Sequence, residues 1–245
     1  MRFRLLTLIM ITASAGLSQA PAFDAASVKP GKPGDTRGAT FQFTPGGALN
    51  ITNGTLRDII ETAWNVRDFQ ILGGPGWLNS ERYDISARSS DGGGQAETRL
   101  KLQVLLAQRF RLRIHHEMRD LPIYALTVGK SGSKLVESDA PLPAGSIAGI
   151  RASCGQIVGT TTSMANLAVY LERQLRRPVV DRTGLTDRYS FQLEWTPDSG
   201  PCSAVSSDGP SIFTALQENL GLKLESTKGP VETIMVDHAE KADEN

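Results

Sequence analysis

The chain has 245 residues, of which 40% are hydrophobic and 21% charged, a composition typical of a globular protein and unlike that of a disordered one. Its 26 basic and 26 acidic residues cancel, so no basic excess indicates a nucleic-acid surface. The length allows one large domain or two small ones. The balanced charge predicts no nucleic-acid partner. No glycine-rich phosphate loop follows a predicted strand, and we predict no cofactor.

Residues 1–22 are predicted to be a secretory signal peptide. Arg2 and Arg4 precede a short apolar run, and small residues follow it, which is the order of an export signal. The apolar run is shorter than the about 20 residues that span a bilayer. We expect cleavage after Ala20 or Ala22, no transmembrane segment afterwards, and a soluble protein in the periplasm or outside the cell.

The rest of the sequence is interpreted as two related units. The stretch GALNITNGTLRDIIETAW (47–64) aligns with GQIVGTTTSMANLAVYLE (155–172), and LNSERYDISAR aligns with LTDRYSFQLEW, at offsets of 106 to 110. Repetition at a near-constant spacing indicates an internal duplication. The predicted boundaries are residues 23–140 for the first unit, 141–149 for a linker, and 150–245 for the second unit.

Each unit begins with a short strand and an N-capping residue, Thr55 or Ser163. An amphipathic helix follows, because apolar residues recur at the helical period. The predicted buried faces are Leu56, Ile59, Ile60 and Ala63 in the first helix, and Met164, Leu167, Ala168 and Leu171 in the second.

An alternating strand comes next in each unit, RYDISA or RYSFQLEW, and then a second helix near Thr98–Arg109 or Ser211–Asn219. Two further strands are predicted after each second helix, on either side of Pro122 and Pro230. The sequence therefore predicts an α+β fold of two duplicated βαβαββ-type units, with mainly antiparallel sheets and helices packed on one face.

Cys154 and Cys202 are the only cysteines. Both lie in loop-like segments, and an exported protein meets an oxidising compartment, so a disulfide between them is predicted. Such a bridge would stabilise the fold by roughly 4 kcal/mol in the chain-entropy model. The alternative is two unpaired thiols.

Asp181 is the most conspicuous catalytic candidate, because an apolar strand leads into Asp181-Arg182-Thr183-Gly184. Aspartic proteases need two such carboxylates, and the first unit supplies no partner aspartate. We therefore interpret Asp181 as a turn residue whose carboxylate caps nearby N–H groups. SGSK (131–134) lacks the companion motifs of serine enzymes that use a Ser-x-x-Lys sequence.

His115, His116 and Glu117 form the one histidine cluster, and His238 lies near the end of the chain. Adjacent histidines on a strand point to opposite faces, so a single metal would not take both. These three residues, with Asp181 and His238, are nevertheless the candidates for a hydrolase or a peptidase-like enzyme. We predict no metal site. Trp77 is a candidate exposed anchor, although a plug that packs its loop onto the sheet is the favoured interpretation.

The stretches FDAASVKP, GGPGWLNSERYDISA, LLAQRFRLRIHHEMRDLPIYAL and VVDRTGLTDRYSFQLEWTPD resemble an exported paralogous family of unknown function that is abundant in Solibacter-type soil Acidobacteria. The resemblance implies a stand-alone secreted domain, sometimes placed behind a membrane metallopeptidase of the beta-lactam-sensor antirepressor kind, and it carries over no catalytic residues. Residues of this chain that match its motifs are turn formers and core positions: Gly74, Pro75, Trp77, Arg109, Phe110, His115 or His116, Asp181, Thr183, Gly184, Leu185, Tyr189, Gly221 and Leu222.

The segment TLRDIIETAWNV is also similar to the small periplasmic βαβ modules at the N-termini of secretins and TonB-dependent receptors. We therefore expect a non-enzymatic binding or sensing module, whose partner is a protein or small ligand of the cell envelope held at a sheet edge or in a groove. The alternatives are a hydrolase and a structural envelope component.

Overall fold

The computed structural model describes residues 21–32, 34, 37–90, 92–138, 149–197 and 209–242. Most of the predicted signal peptide, most of the predicted linker and Cys202 lie outside these ranges. No helix in the described part of the chain has the length and apolar character needed to cross a membrane.

Twelve strands and four helices are present in the described residues. The strands are β1 (Ala25–Pro30), β2 (Thr40–Phe43), β3 (Leu49–Thr55), β4 (Ile71–Gly73), β5 (Arg82–Arg88), β6 (Arg113–Val128), β7 (Val136–Glu137), β8 (Gly149–Ser153), β9 (Gln156–Thr162), β10 (Val179–Asp181), β11 (Tyr189–Glu194) and β12 (Leu222–His238). The helices are α1 (Leu56–Trp64), α2 (Gln95–Arg109), α3 (Met164–Leu175) and α4 (Ile212–Ala215), and a π turn (Leu216–Leu220) continues α4.

Within these ranges the strands form three four-stranded sheets, with orders β1-β5-β3-β2, β10-β6-β12-β4 and β7-β11-β9-β8. Pairing is antiparallel except where the short strands β4 and β10 run parallel to β12 and β6. The predicted α+β class with mainly antiparallel sheets is confirmed. The duplication itself stays a prediction.

Two compact units divide the chain, and each takes more than one segment. Unit 1 comprises the described residues up to Trp64, Gly76–Leu112 and the chain from Ala239 onward; unit 2 comprises Asn65–Pro75 and Arg113–His238. Strand β6 therefore groups with unit 2, although the sequence pattern assigns it to the first repeat.

In unit 1, the sheet β1-β5-β3-β2 carries α1, whose buried residues are Leu56, Ile59, Ile60 and Ala63, as the helical period predicts. Thr55 caps this helix as expected. Its hydroxyl accepts a hydrogen bond from the Asp58 N–H at 3.1 Å, and the Asp58 carboxylate accepts one from the Thr55 N–H at 3.0 Å. This reciprocal pair satisfies two N–H groups at the start of the helix.

In unit 2, α3 buries the four residues that the sequence predicts, Met164, Leu167, Ala168 and Leu171. The side chain of Ser163 accepts a hydrogen bond from the Asn166 N–H at 3.3 Å, which confirms its capping role. These residues pack in one apolar core with residues of β9, β11, α4 and β12, including Ile157, Leu193 and Leu222.

The expectation of two separate strands after each second helix is wrong. β6 runs without interruption from Arg113 to Val128, and β12 runs from Leu222 to His238. The two strands pair along nearly their whole length, with Pro122 opposite Lys228 and Pro230 opposite Asp120. β4 and β10 pair only with residues 234–236 and 124–126, so no neighbouring strand needs an N–H from either proline. Proline is tolerated at such edge positions.

Candidate functional site

The histidine cluster lies near the start of β6 and divides between its two faces. His115 Nδ1 lies 2.9 Å from the Asp237 carboxylate, and His116 Nδ1 lies 3.2 Å from the Glu232 carboxylate. Glu117 instead contacts Arg119, two residues further along the same strand, at 3.0 Å. The histidines and Glu117 are thus engaged in separate polar contacts at half-exposed positions.

Asp181 lies far from this cluster. It ends β10 and pairs with Leu126, eleven positions along β6 from His115, which corresponds to about 35 Å of strand. Its Oδ1 accepts hydrogen bonds from the Thr183 N–H at 2.9 Å and the Thr183 hydroxyl at 2.8 Å. Asp181 therefore caps its own turn, and general acid-base chemistry that joins it to His115 has no geometric basis.

His238 lies opposite Arg113, at the same end of the hairpin as His115. Among the described residues, no group of three or more histidine, cysteine, aspartate or glutamate side chains is placed to hold a metal ion. Trp77 is half-buried in a short 3-10 turn (Gly76–Asn79), and the following residue, Leu78, is buried.

Cys154 occupies the tight turn between β8 and β9, whose flanking residues Ser153 and Gln156 are paired. Cys202 lies outside the described residues, so the predicted disulfide stays a prediction. A cavity of about 390 Å³ adjoins Cys154, and Glu194 and Trp195 also line it.

Two charged side chains, one partly buried and one fully buried, lie in environments that the sequence pattern does not reveal. Burial raises the pKa of the Glu172 carboxyl, against the opposing effect of Arg67, whose Nε lies 3.6 Å away. In unit 1, Lys101 is 1% exposed; its Nζ donates to the Ser89 hydroxyl at 2.6 Å and lies 3.1 Å from the Glu97 carboxylate.

A serine and lysine in contact can form a nucleophile and its base, but the base must be a neutral amine. The Lys101 Nζ is shared between the Ser89 hydroxyl and the Glu97 carboxylate, so it is not directed at the serine alone. We therefore interpret the contact between Ser89 and Lys101 as structural. This contact joins the start of the loop after β5 to α2. A groove of about 340 Å³ lies beside Lys101 and Arg109.

The sheet of unit 1 has two edge strands, and they differ in accessibility. On β1, Val28 is 1% exposed, so that edge is covered at its centre. On β2, none of the four residues from Thr40 to Phe43 is buried. Within the described residues, β3 is the only strand that pairs with β2.

The direction of the β2 backbone groups follows from the hairpin that joins β2 to β3. The N–H of Thr44 donates to the carbonyl of Ala48 at 3.0 Å, which continues the β2–β3 register. Backbone groups alternate between the two sides of a strand, so Gln42 and Thr40 also face β3. The N–H and C=O groups of Phe41 and Phe43 therefore face the open side of the sheet.

The two phenylalanine side chains lie on the core face of the sheet. Phe41 pairs with Ile51 and Phe43 pairs with Leu49, and both aliphatic partners are at most 1% exposed. Directly opposite residues in an antiparallel pair share a face. The half-buried phenylalanine rings thus extend the apolar face to the edge of the sheet.

Arg99, on α2, contacts the outer end of this apolar face. Its Cζ lies 5.8 Å from the centroid of the Phe43 ring, within the range of a cation–π contact. Its Nε is buried without a hydrogen-bond partner, and no carboxylate of the described chain pairs with Arg99. We call β2 together with Arg99 the β2 edge site.

Sequence reasoning did not find the β2 edge site. The alternation in TFQF (residues 40–43) is a strand signal, but four residues are too few to distinguish an open edge strand from a loop. The contact between Arg99 and Phe43 joins residues far apart in the chain and has no local sequence signature.

The chain matches a known protein family. Residues 57–239 match the model of a family described as "Protein of unknown function (DUF3738)", which covers more than half of the chain. No curated protein and no solved structure matches the chain.

Proposed function

Because the chain belongs to the DUF3738 family, whose function is unknown, we propose a function from its own structure: an exported, non-enzymatic module that binds an extended segment of another polypeptide. The segment would add to the unit 1 sheet as a further strand beside β2. Strand addition gives affinity through main-chain hydrogen bonds and specificity through alternate side chains. The family match begins at Arg57, so this site is proposed for this chain and not for the whole family.

The main observation that supports the proposal is that the outer edge of β2 is accessible. Phe41 and Phe43 present their N–H and C=O groups to the open side, and no residue of the strand is buried. Proteins commonly cover or blunt an open edge, because unpaired backbone groups are a template for another strand. β2 contains no proline and no charged residue to prevent such pairing.

A selection from a displayed library of short random peptides tests the proposal. Wild-type protein is expected to enrich peptides with alternating polarity. Phe43→Pro removes an outward N–H without removing a hydrogen bond to β3, and should abolish the enrichment. Phe43→Ala is the matched control, since it removes the same ring but keeps the N–H, and it should retain part of the binding.

Two outcomes would contradict the proposal. One is that the wild-type protein enriches no peptide family. The other is that the Phe43→Pro variant, shown to be folded by circular dichroism, binds the selected peptides as tightly as Phe43→Ala does. Concentration-dependent association of the wild-type protein without peptide would support a structural envelope component instead.

Export and the disulfide are part of the same proposal, and the signal-like N-terminus and the cysteine pair support them. A fusion of residues 1–24 to a phosphatase that is active only outside the cytoplasm should be active. The mature protein should begin at Pro21 or Phe23. Peptide mapping without reductant should recover Cys154 and Cys202 in one cross-linked pair, and an inactive fusion or two free thiols would contradict these expectations.

The hydrolase alternative has no support in the geometry, because its candidate residues do not converge. His115 and Asp181 lie near opposite ends of β6, and Glu117 contacts Arg119. General acid-base catalysis needs the acting groups within hydrogen-bond reach of the same reacting atoms.

A further inference from the structure

We infer, on the basis of the proposed strand addition, that the polypeptide beside β2 carries an acidic side chain that pairs with Arg99. This inference names the chemical class of the ligand: an extended segment with a carboxylate on its core-facing side. It rests on the state of Arg99, on the position of Phe43, and on the charge of the β2 edge site.

Unlike Arg82 and Arg109, Arg99 has no hydrogen-bond acceptor among the described residues. Arg82 donates to the carbonyl of Asn53 at 2.8 Å, and Arg109 donates to the carbonyl of Ala26 at 3.5 Å. The described residues offer Arg99 only the ring of Phe43, and its Nε is buried. A buried donor without an acceptor is costly, so a ligand that supplies one gains more than it would from an exposed arginine.

Phe43 connects Arg99 to the open edge. Its backbone faces the position of the added strand, and its ring lies under the guanidinium. A ligand residue directly opposite Phe43 on the core face would have its Cβ about 5 Å from that of Phe43. An aspartate or glutamate at this position, or two residues away on the same face, reaches the guanidinium.

The positive charge of the β2 edge site favours a negatively charged ligand. β2 itself is uncharged, and the guanidinium of Arg99 lies over the ring of Phe43. A guanidinium binds a planar carboxylate through paired N–H groups. The outward N–H and C=O groups of Phe41 and Phe43 require a ligand with a peptide backbone, so the same site does not fit a free phosphate equally well.

The experiment uses the full chain and the same displayed library of random peptides. Wild-type protein should enrich aspartate or glutamate at one position of the alternation, with apolar residues two positions away. Arg99→Gln should lose this acidic preference and keep the alternation. Arg99→Lys should retain part of it, because the charge remains while the planar fork is lost.

Affinities of one selected peptide and of its Glu→Gln counterpart then measure the pair directly. We expect the neutral peptide to bind wild-type protein about tenfold more weakly. The two peptides should bind Arg99→Gln equally, and added salt should reduce the difference seen with wild-type protein.

Failure of this inference is distinct from failure of the proposed function. Two results would contradict the pairing with Arg99 but leave strand addition intact. One is that the selected peptides have no acidic position. The other is that the difference in affinity between the two peptides persists in Arg99→Gln. If wild-type protein selects no peptides, both are overturned. If Arg99→Gln does not fold, Arg99→Lys is compared with wild-type protein instead. The inference would be contradicted if the two proteins showed the same preference for acidic peptides and the same salt dependence of binding.

Discussion

The guanidinium of Arg82 donates a hydrogen bond to the backbone carbonyl of Asn53, 2.8 Å away. Asn53 lies at a bulge in β3 with φ of 57°, in the left-handed region that asparagine tolerates. Its N–H donates to the Asp84 carboxylate at 2.8 Å. Two side chains of β5 therefore hold the bulge, one on its carbonyl and one on its N–H.

The same arrangement occurs in unit 2. Arg188 donates to the carbonyl of Thr161 at 3.3 Å, Thr161 has φ of 45°, and its N–H donates to the Ser190 hydroxyl at 3.2 Å. The tyrosine that follows each arginine, Tyr83 or Tyr189, is 3% exposed. The Arg-Tyr pairs that align in the sequence thus have a common role, in which the arginine holds a bulge and the tyrosine enters the core.

Replacing Arg82 by glutamine should destabilise the protein. The carbonyl of Asn53 would lose its charged donor, and we expect the free energy of unfolding to fall by about 1–2 kcal/mol. Urea denaturation measures this change. Arg88→Gln is the control, because Arg88 is an exposed arginine of the same strand, as Arg82 is, but donates to no carbonyl of the described residues. It should change the midpoint little. Equal effects of the two substitutions would show that the contact with Asn53 contributes nothing.

Thr161→Asn should stabilise the protein. A β-branched residue is strained at φ of 45°, whereas asparagine populates this region readily. We expect a gain of about 0.5–1 kcal/mol, reduced by whatever the hydroxyl contact with Ser138 at 3.1 Å contributes. Thr160→Asn is the matched control, because Thr160 has a negative φ, and asparagine there should be neutral or destabilising. A lower melting temperature for Thr161→Asn than for Thr160→Asn would contradict the expectation.

Gly159→Ala should destabilise unit 2. Gly159 pairs with Phe191 across β9 and β11, and a Cβ at position 159 would lie 2.6 Å from the Phe191 ring. Overpacking of this kind costs about 1–3 kcal/mol. Phe191→Leu removes the ring, so the alanine should cost less in the Phe191→Leu background than in wild-type protein. A double-mutant cycle by thermal unfolding measures the coupling, and strictly additive effects would rule out this clash.

Cleavage in the segment 139–148 should leave the two parts of the chain associated. β6 from the first part and β12 from the second pair continuously from Val128 with Leu222 to Ile114 with Val236, and β10 also pairs with β6. An engineered protease site would allow a clean cut after folding. The cut chains should co-elute in size-exclusion chromatography and separate only in denaturant. Separation in native buffer would show that this pairing is too weak to hold the parts together.

Local structure was predictable where neighbouring residues determine it. The buried faces of α1 and α3, including Ile59 and Leu167, follow from spacings of three and four residues, and Thr55 and Ser163 cap their helices with groups three residues away. The strand expectation failed at Pro122 and Pro230, because a proline interrupts a strand only where its missing N–H would have a partner.

The candidate site was much less predictable. His115, Asp181 and the other chemistry-bearing residues were conspicuous by type, but pairing along β6 separates them. Phe43 and Arg99 were inconspicuous, and their contact arises only when α2 packs on the sheet that ends with β2. A cation and an aromatic ring at distant positions leave no periodic pattern.

By itself, the sequence determined the helices, their caps, the approximate strands and the α+β class, because hydrophobic period and capping act over a few residues. Only the tertiary structure decided that β4 pairs with β12 and β10 with β6, that both long strands continue through their prolines, and that β2 is an open edge beside Arg99. These features depend on which distant segments meet, and the free energy of such pairing belongs to the whole fold.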